Sequence, residues 1–138
     1  MARPKTHGVR ILVRHAETGA ILLVRHSYGR RDLWYPPGGG YKPGRETAEQ
    51  AAHRELKEET GIVVDALKCL GTHVTTRAGN RDTITIFQGI SESDPQSESS
   101  EIEECRWINL DKTNSGVKPS WVVPIALNME VSAGQDNE

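Results

Sequence analysis

The chain is poor in cysteine. Cys69 and Cys105 are its two cysteines in 138 residues. They stand far apart and match no zinc-binding or redox spacing, so they are expected as ordinary thiols in a reducing cytoplasm. No run of apolar residues approaches the length of a membrane span. The basic stretch Met1 to Arg10 leads into Val9 to Val13, too short an apolar run for a secretory signal. Apart from the short echo of Val13-Arg14-His15 in Val24-Arg25-His26, there is no internal repeat. Nor is there an excess of one charge. Seventeen basic and nineteen acidic residues leave a net of −2, which gives no general reason to expect a nucleic-acid polymer as partner.

What is present suffices for one core. The apolar set is 36% of the chain, and 13 glycines bring it close to the share found in globular proteins. The length argues for a single domain over residues 1–138, with a frayed tail from about residue 132. The near-neutral total hides a division. Residues 1–45 hold nine basic and two acidic side chains, a net of +7; residues 46–138 hold eight and seventeen, a net of −9. Charge asymmetry of this kind often serves a function.

Val9 to Val13 and Ala20 to Arg25 read as neighbouring antiparallel strands around Glu17-Thr18-Gly19. Ser27 to Arg45, rich in glycine and proline, reads as a loop. Thr47-Ala48-Glu49-Gln50 is a capping box, Ala48, Ala52 and Leu56 form an apolar row, and Gly61 is a stop signal. These predict a helix from Thr47 to Thr60. One or two strands are expected in Ile62 to Val74, and further strands at Thr83 to Gln88 and Arg106 to Leu110. Ser91 to Ser100 is an exposed loop. Ser120 is the expected N-cap of a last helix, with Pro124 in its first turn and Trp121, Ile125 and Met129 on one side. This order suggests an α/β fold, a mixed sheet sandwiched between helices.

On the central helix, Glu55, Glu58 and Glu59 fall at i, i+3 and i+4 and share one side. Like charges so placed repel. They also lie near the helix C-terminus, where the dipole disfavours anions. Three glutamates on a helix are ordinarily a solvated acidic face. A hard divalent cation, Mg²⁺ or Mn²⁺, is the simplest compensator for a cluster that opposes its local physics. The upstream residues favour that reading. Gly40, five residues, Glu46, seven residues, then Arg54-Glu55-Leu56-Lys57-Glu58-Glu59-Thr60-Gly61-Ile62 resembles the Nudix box at all nine of its specified positions. The preceding Trp34-Tyr35-Pro36-Pro37-Gly38-Gly39-Gly40 resembles the family's entry to that box. Arg45 is a departure, an extra residue between the usual Gly and Glu. It leaves open whether Gly39 or Gly40 turns a carbonyl to the metal.

The resemblance implies a Nudix-type α/β/α sandwich and Mg²⁺-dependent hydrolysis of a diphosphate linkage. The substrate would be a nucleoside diphosphate linked to another moiety. Nucleoside triphosphates, ADP-ribose, nucleotide sugars and dinucleoside polyphosphates all remain open. The short segment before Val9, unlike the long extension of dimeric ADP-ribose hydrolases of the family, tilts the expectation to a small nucleotide. Glu55 and Glu59 would be the principal metal ligands, with Glu58 a further ligand or a water-orienting group. Gly39 or Gly40 would add a carbonyl. Arg54 would hold the glutamates in place and Glu46 would support them. A glutamate beyond the box serves as general base in some members; Glu101 is the candidate here, with Glu98, Glu103 and Glu104 behind it.

Arg25, His26, Arg30 and Arg31 flank the glycine loop and could grip phosphates, with Arg77, Arg81 and Asp82, in a turn before a strand, as secondary candidates. Tyr28, Trp34 and Tyr41 could stack on a base, though an aromatic is more often a packing residue. His53 reads as an exposed helix residue, and His7 and His73 have no partner readable from sequence. Two other readings stand beside this one. One is a non-enzymatic Nudix-like nucleotide-binding module. The other is a histidine phosphatase using His15, because Arg14-His15-Ala16-Glu17-Thr18 looks like the opening of that family. No membrane association is expected, and oligomeric state is not legible in the sequence.

Overall fold

The computed structural model describes residues 5–77, 79–111 and 116–135. Ten elements follow one another: β1 (Lys5–His15), β2 (Ile21–His26), β3 (Leu33–Tyr35), β4 (Gly38–Gly40), α1 (Ala48–Thr60), β5 (Lys68–Arg77), β6 (Asn80–Ser91), β7 (Ile102–Ile108), β8 (Lys118–Pro119) and α2 (Val122–Gln135). The strands form one mixed sheet with the path β5-β6-β1-β2-β3-β8, while β4 pairs with β1 and β7 with β2. Strand β1 is the spine. It runs parallel to β6 from the Lys5–Arg81 pair to the His15–Ser91 pair.

The two edges of β1 are used differently. One carries β6 along its whole length. On the other, β2 is in register at Arg14 and Ile21, and β4 takes positions Gly8 to Arg10. Strand β2 meanwhile pairs with β7 and β3. The sheet therefore forks below the Arg14–Ile21 bridge, and the glycine strand occupies one arm of the fork.

Side chains alternate across β1 as a strand requires. Val9, Ile11 and Val13 pack with Ala51, Ala52 and Leu56 of α1. Leu12 faces the other way, into a second core with Val122, Val123 and Ala126 of α2. Two helical layers thus enclose the sheet, the α/β/α sandwich expected from sequence. Among the described residues, no helix is long and apolar enough to cross a membrane.

Helix α1 ends where its local signals place the ends. The Thr47 hydroxyl accepts from the Gln50 amide at 3.1 Å, and the Gln50 carbonyl oxygen accepts from the Thr47 amide at 2.9 Å. At the other end Gly61, at φ 76°, donates to the Lys57 carbonyl. The strands depart more from expectation. Strand β1 is longer than Val9 to Val13 because β6 pairs with its polar beginning, where the Thr6 hydroxyl also donates to Asp82 at 2.7 Å. The expected loop from Ser27 to Arg45 contains β3 and β4. Strand β5 begins only at Lys68, and β7 lies earlier than Arg106 to Leu110 because β2 sets its register from Ile21–Ile108 to His26–Ile102.

Helix α2 also corrects the sequence reading. Its buried side is Val122, Val123 and Ala126; Trp121 is exposed, and Ile125 and Met129 are half-buried. The Ser120 hydroxyl is buried with no partner among the described residues, and Val123 donates instead to the Ser120 backbone carbonyl. The helix continues to Gln135. Residues 136–138 of the expected tail lie outside the described residues.

A polar tie joins the layers. Glu130 of α2 accepts from Arg14 Nε at 3.1 Å, from Arg14 Nη2 at 2.6 Å and from Gln88 Nε2 at 2.6 Å. The Arg14 hydrogen bonds hold the Glu130 carboxyl below the usual glutamate range. A depressed folded-state pKa contributes stability above the unfolded value, and that stability is lost as pH falls through the folded one. Glu130→Gln is therefore expected to lower stability by roughly 1–2 kcal/mol at pH 7. The gap from wild type should close below about pH 4. Urea denaturation across pH measures both, and a gap that persists in acid would remove the ionic explanation.

Candidate functional site

The site is built where β4 lies between β1 and α1. Gly38 makes the closest approach. A Cβ on Gly38, at φ 155°, would stand 2.0 Å from the Val9 carbonyl oxygen. Its amide donates to Glu59 Oε1 at 2.9 Å. Gly39 lies against Glu55, whose Oε2 would be 2.8 Å from a Cβ there. Gly40 stands off: its nearest neighbour would be the His7 carbonyl oxygen at 3.7 Å. Of the two glycines left open by sequence, Gly39 is the one whose backbone meets a box carboxylate. Gly38, which the sequence reading did not single out, meets the other.

The three glutamates are not equivalent. Glu59 is only 6% exposed. Burial pushes its carboxyl up to about 7, against the opposing pull of the Gly38 amide and the Arg10 cation. Burial also raises Glu55, against its hydrogen bond from Arg54. Glu58 is exposed and accepts from Arg54 Nη1 at 3.2 Å. Arg54 is the clamp. It donates to both Glu46 oxygens through Nε, to Glu46 Oε1 through Nη2 at 2.6 Å, and to Glu55 through Nη1 at 2.8 Å.

The donor chemistry fits a hard divalent cation. Glu55 and Glu59 offer carboxylate oxygens one helical turn apart, both facing glycine backbone; beyond burial, the Glu55 charge raises the proton affinity of Glu59, and the Glu58 charge that of Glu55. Among the described residues, no three acidic, histidine or cysteine side chains converge into a finished cage. Ligation by Glu58 would require it to leave Arg54.

Across the cleft, His26 Nε2 lies 3.9 Å from Glu59 Oε2. Burial, and secondarily Arg10, hold His26 below its ordinary pKa. Its ring packs on Tyr28 at 5.2 Å and on Tyr35 at 5.3 Å. Tyr28 is exposed, and its phenol feels Glu101 and Glu59. Glu101 is exposed, its backbone carbonyl accepting from Ser27, and its charge acts on Glu59. The Glu98 amide donates to the Glu59 carbonyl at 3.4 Å. Glu104 is engaged with Arg25 and Arg106, and Glu103 is exposed.

The basic residues expected near the glycine segment are mostly paired. Arg25 holds Glu104 at 3.2 Å and Arg30 holds Asp32 at 3.0 Å, while Arg31 is exposed at the rim. Arg81 sits opposite Lys5. That is four residues along β1 from the Val9–Gly39 pair, or about 13 Å, so the fold does not bring it to the glutamates. Trp34 is buried in the α2-side core. Tyr41 packs on His7, and His73 on Trp121. His53 is half-buried on α1. His15 Nδ1 accepts from the Glu17 and Thr18 amides, and its ring meets Trp107 edge-on. It closes its own turn, beyond the β1–β2 bridge.

Arg10 escaped the sequence reading. Its guanidinium donates to the Pro36 carbonyl at 3.0 Å and lies over the Tyr35 ring at 5.2 Å. The available signal was a charged residue interrupting an apolar strand, between Val9 and Ile11.

Comparison with known proteins bears on the family and the fold. The NUDIX domain model matches residues 4–125. The chain is 34% identical over 104 residues to an oxidized purine nucleoside triphosphate hydrolase of Danio rerio, covering 73% of this chain and 65% of that protein. It is 30% identical over 111 residues to phosphatase NudJ of Escherichia coli K12, covering 78% of this chain and 71% of that one. Among solved structures, a MutT protein from Methanosarcina mazei superposes with a TM-score of 0.76 at 25% identity, covering 96% of this chain and 98% of its own.

Proposed function

Because the chain belongs to the Nudix hydrolase family, we propose that it hydrolyses a diphosphate linkage in a nucleoside diphosphate joined to another moiety, with Mg²⁺ or Mn²⁺ as cofactor. The observation that carries this reading is the seating of Glu55 and Glu59 on the backbone of Gly39 and Gly38. Glu55, Glu59 and a carbonyl of the glycine strand would hold the metal, with Glu58 joining from its exposed position. When bound, the metal lowers the pKa of water and neutralises charge on phosphate oxygens.

The chain's own residues supply the rest. Arg54 fixes the rotamers of Glu55 and Glu58 and is itself fixed by Glu46. Glu101, exposed beside Glu59 and Tyr28, accepts the proton of the attacking water. Tyr28 offers an open ring face to a base or sugar. Arg31 is exposed and open to phosphates arriving at the cleft, whereas Arg25 and Arg30 would join only by releasing Glu104 and Asp32. The Danio rerio relative's name brings purine nucleoside triphosphates to the head of the substrate series. A small-molecule substrate and a cytoplasmic setting complete the reading.

Chromatographic separation of the nucleotide products released from each substrate tests it. The series comprises nucleoside triphosphates with and without oxidised purines, ADP-ribose, nucleotide sugars and dinucleoside polyphosphates. Turnover of at least one class with Mg²⁺, abolished by EDTA, is the expected result. The reading fails if the wild-type protein with Mg²⁺ or Mn²⁺ splits none of them.

A further inference from the structure

The arginines whose side chains are described sort by what they hold. Arg14 is bound to Glu130, Arg25 and Arg106 to Glu104, Arg30 to Asp32, and Arg54 to Glu46, Glu55 and Glu58. Arg31, Arg45 and Arg81 have no such partner but are exposed, so water solvates them. Arg10 is the exception among the described residues. It is part-buried, yet no carboxylate lies within the 4.0 Å of an ion pair. A cation withdrawn from water without a counter-charge is unfavourable unless an anion reaches it.

Its position relates it to the buried carboxylates. Arg10 is in register opposite Gly38, whose amide holds Glu59. One Nη1 bond goes to the Pro36 carbonyl, and the guanidinium carbon lies over the Tyr35 ring, 5.2 Å from its centroid. A guanidinium has five N–H donors, so these contacts aim the group while leaving donors unused. It shares the Tyr35 ring with His26, whose Nε2 lies 3.9 Å from Glu59 Oε2, which places it on the cleft side of the fork. The rim arginines Arg25 and Arg30, by contrast, already hold carboxylates.

We infer that Arg10 is the principal phosphate-binding side chain of the cleft, donating to a non-bridging oxygen of the substrate's diphosphate from the side opposite α1. This inference rests on the proposed hydrolysis. Tyr35 and Pro36 hold the guanidinium in place, and the diphosphate supplies the charge that Arg10 lacks in the free protein. Lysine at this position would keep the charge but lose the planar fork and its stacking.

The test uses α,β-methylene-ADP, a diphosphate that water cannot split, titrated calorimetrically into metal-free protein in EDTA. Wild type is expected to bind. Arg10→Gln should weaken binding by about 10–100-fold, the range of a charged hydrogen bond, and Arg10→Lys should fall between. On the substrate identified by the release assay, Arg10→Gln should lower kcat/KM by a similar factor. Thermal melts confirm folding, and Arg10→Met provides a second neutral variant if the glutamine form unfolds. Equal binding by wild type and the neutral variants overturns the inference, as does failure of wild type to bind the probe. If no substrate is hydrolysed while the Arg10 dependence of probe binding holds, the proposed reaction fails and the anion site stands.

Discussion

Glu59→Gln is expected to reduce kcat by about 10²–10³-fold, the scale of losing one group that stabilises transition-state charge. Its fold should survive intact. The glutamine carbonyl oxygen can take over the bond that Glu59 Oε1 accepts from the Gly38 amide at 2.9 Å. The substitution also removes the need to bury a carboxylate that is 6% exposed, so the melting temperature in EDTA should equal or exceed that of wild type. Lost activity with undiminished stability separates a functional group from a structural one. Steady-state rates and parallel melts provide the comparison. Full activity in Glu59→Gln would sink the assignment of this residue.

Gly38→Ala should act in the opposite way, through the fold. The added methyl would fall 2.0 Å from the Val9 carbonyl oxygen, on a backbone at φ 155°. Neither the spine strand nor β4 can yield without breaking their pairing. A loss on the order of 4–5 kcal/mol is expected, a large part of the 5–15 kcal/mol typical of a domain. Gly40→Ala is the control. Its methyl would meet only the His7 carbonyl oxygen at an ordinary 3.7 Å, so a change within about 1 kcal/mol is expected. Chemical denaturation distinguishes the two, and similar stability in both variants would show that β4 can move.

The parts of the molecule that were legible in the sequence are those with local causes. Helix α1 carries its own cap at Thr47, its own stop at Gly61 and its own apolar row, so its limits followed from neighbours in the chain. The glutamate cluster is legible for the same reason, since helical spacing puts Glu55, Glu58 and Glu59 on one side. Strand β4 was not. Three glycines have little intrinsic strand preference, and only the open edge of β1 makes them a strand. The beginning of β1 was hidden likewise, because its polar residues are held by β6, far away in sequence. Arg10 was visible as a charge in an apolar run, but its role depends on Pro36 and Tyr35 arriving beside it. Helix α2 misled for a different reason: two sides of it are apolar, and the sheet chose Val122, Val123 and Ala126.

The parallel pairing of β1 with β6 has a consequence for the order in which the protein can assemble on the ribosome. Lys5 and Arg81 are register partners, as are Thr6 and Asp82, each pair 76 positions apart in sequence. Pairings so distant must close a long loop before any contact rewards it. A ribbon of β1 with three glycines would not persist by itself in water. Synthesis of the whole box, through Ile62, therefore leaves it without a stable glycine edge against which Glu55 and Glu59 can settle. The acidic helix can form early, as an isolated and self-repelling segment. The cleft becomes a cleft only after β6 has emerged and locked the spine, so competence for metal and substrate arrives late in the life of the nascent chain.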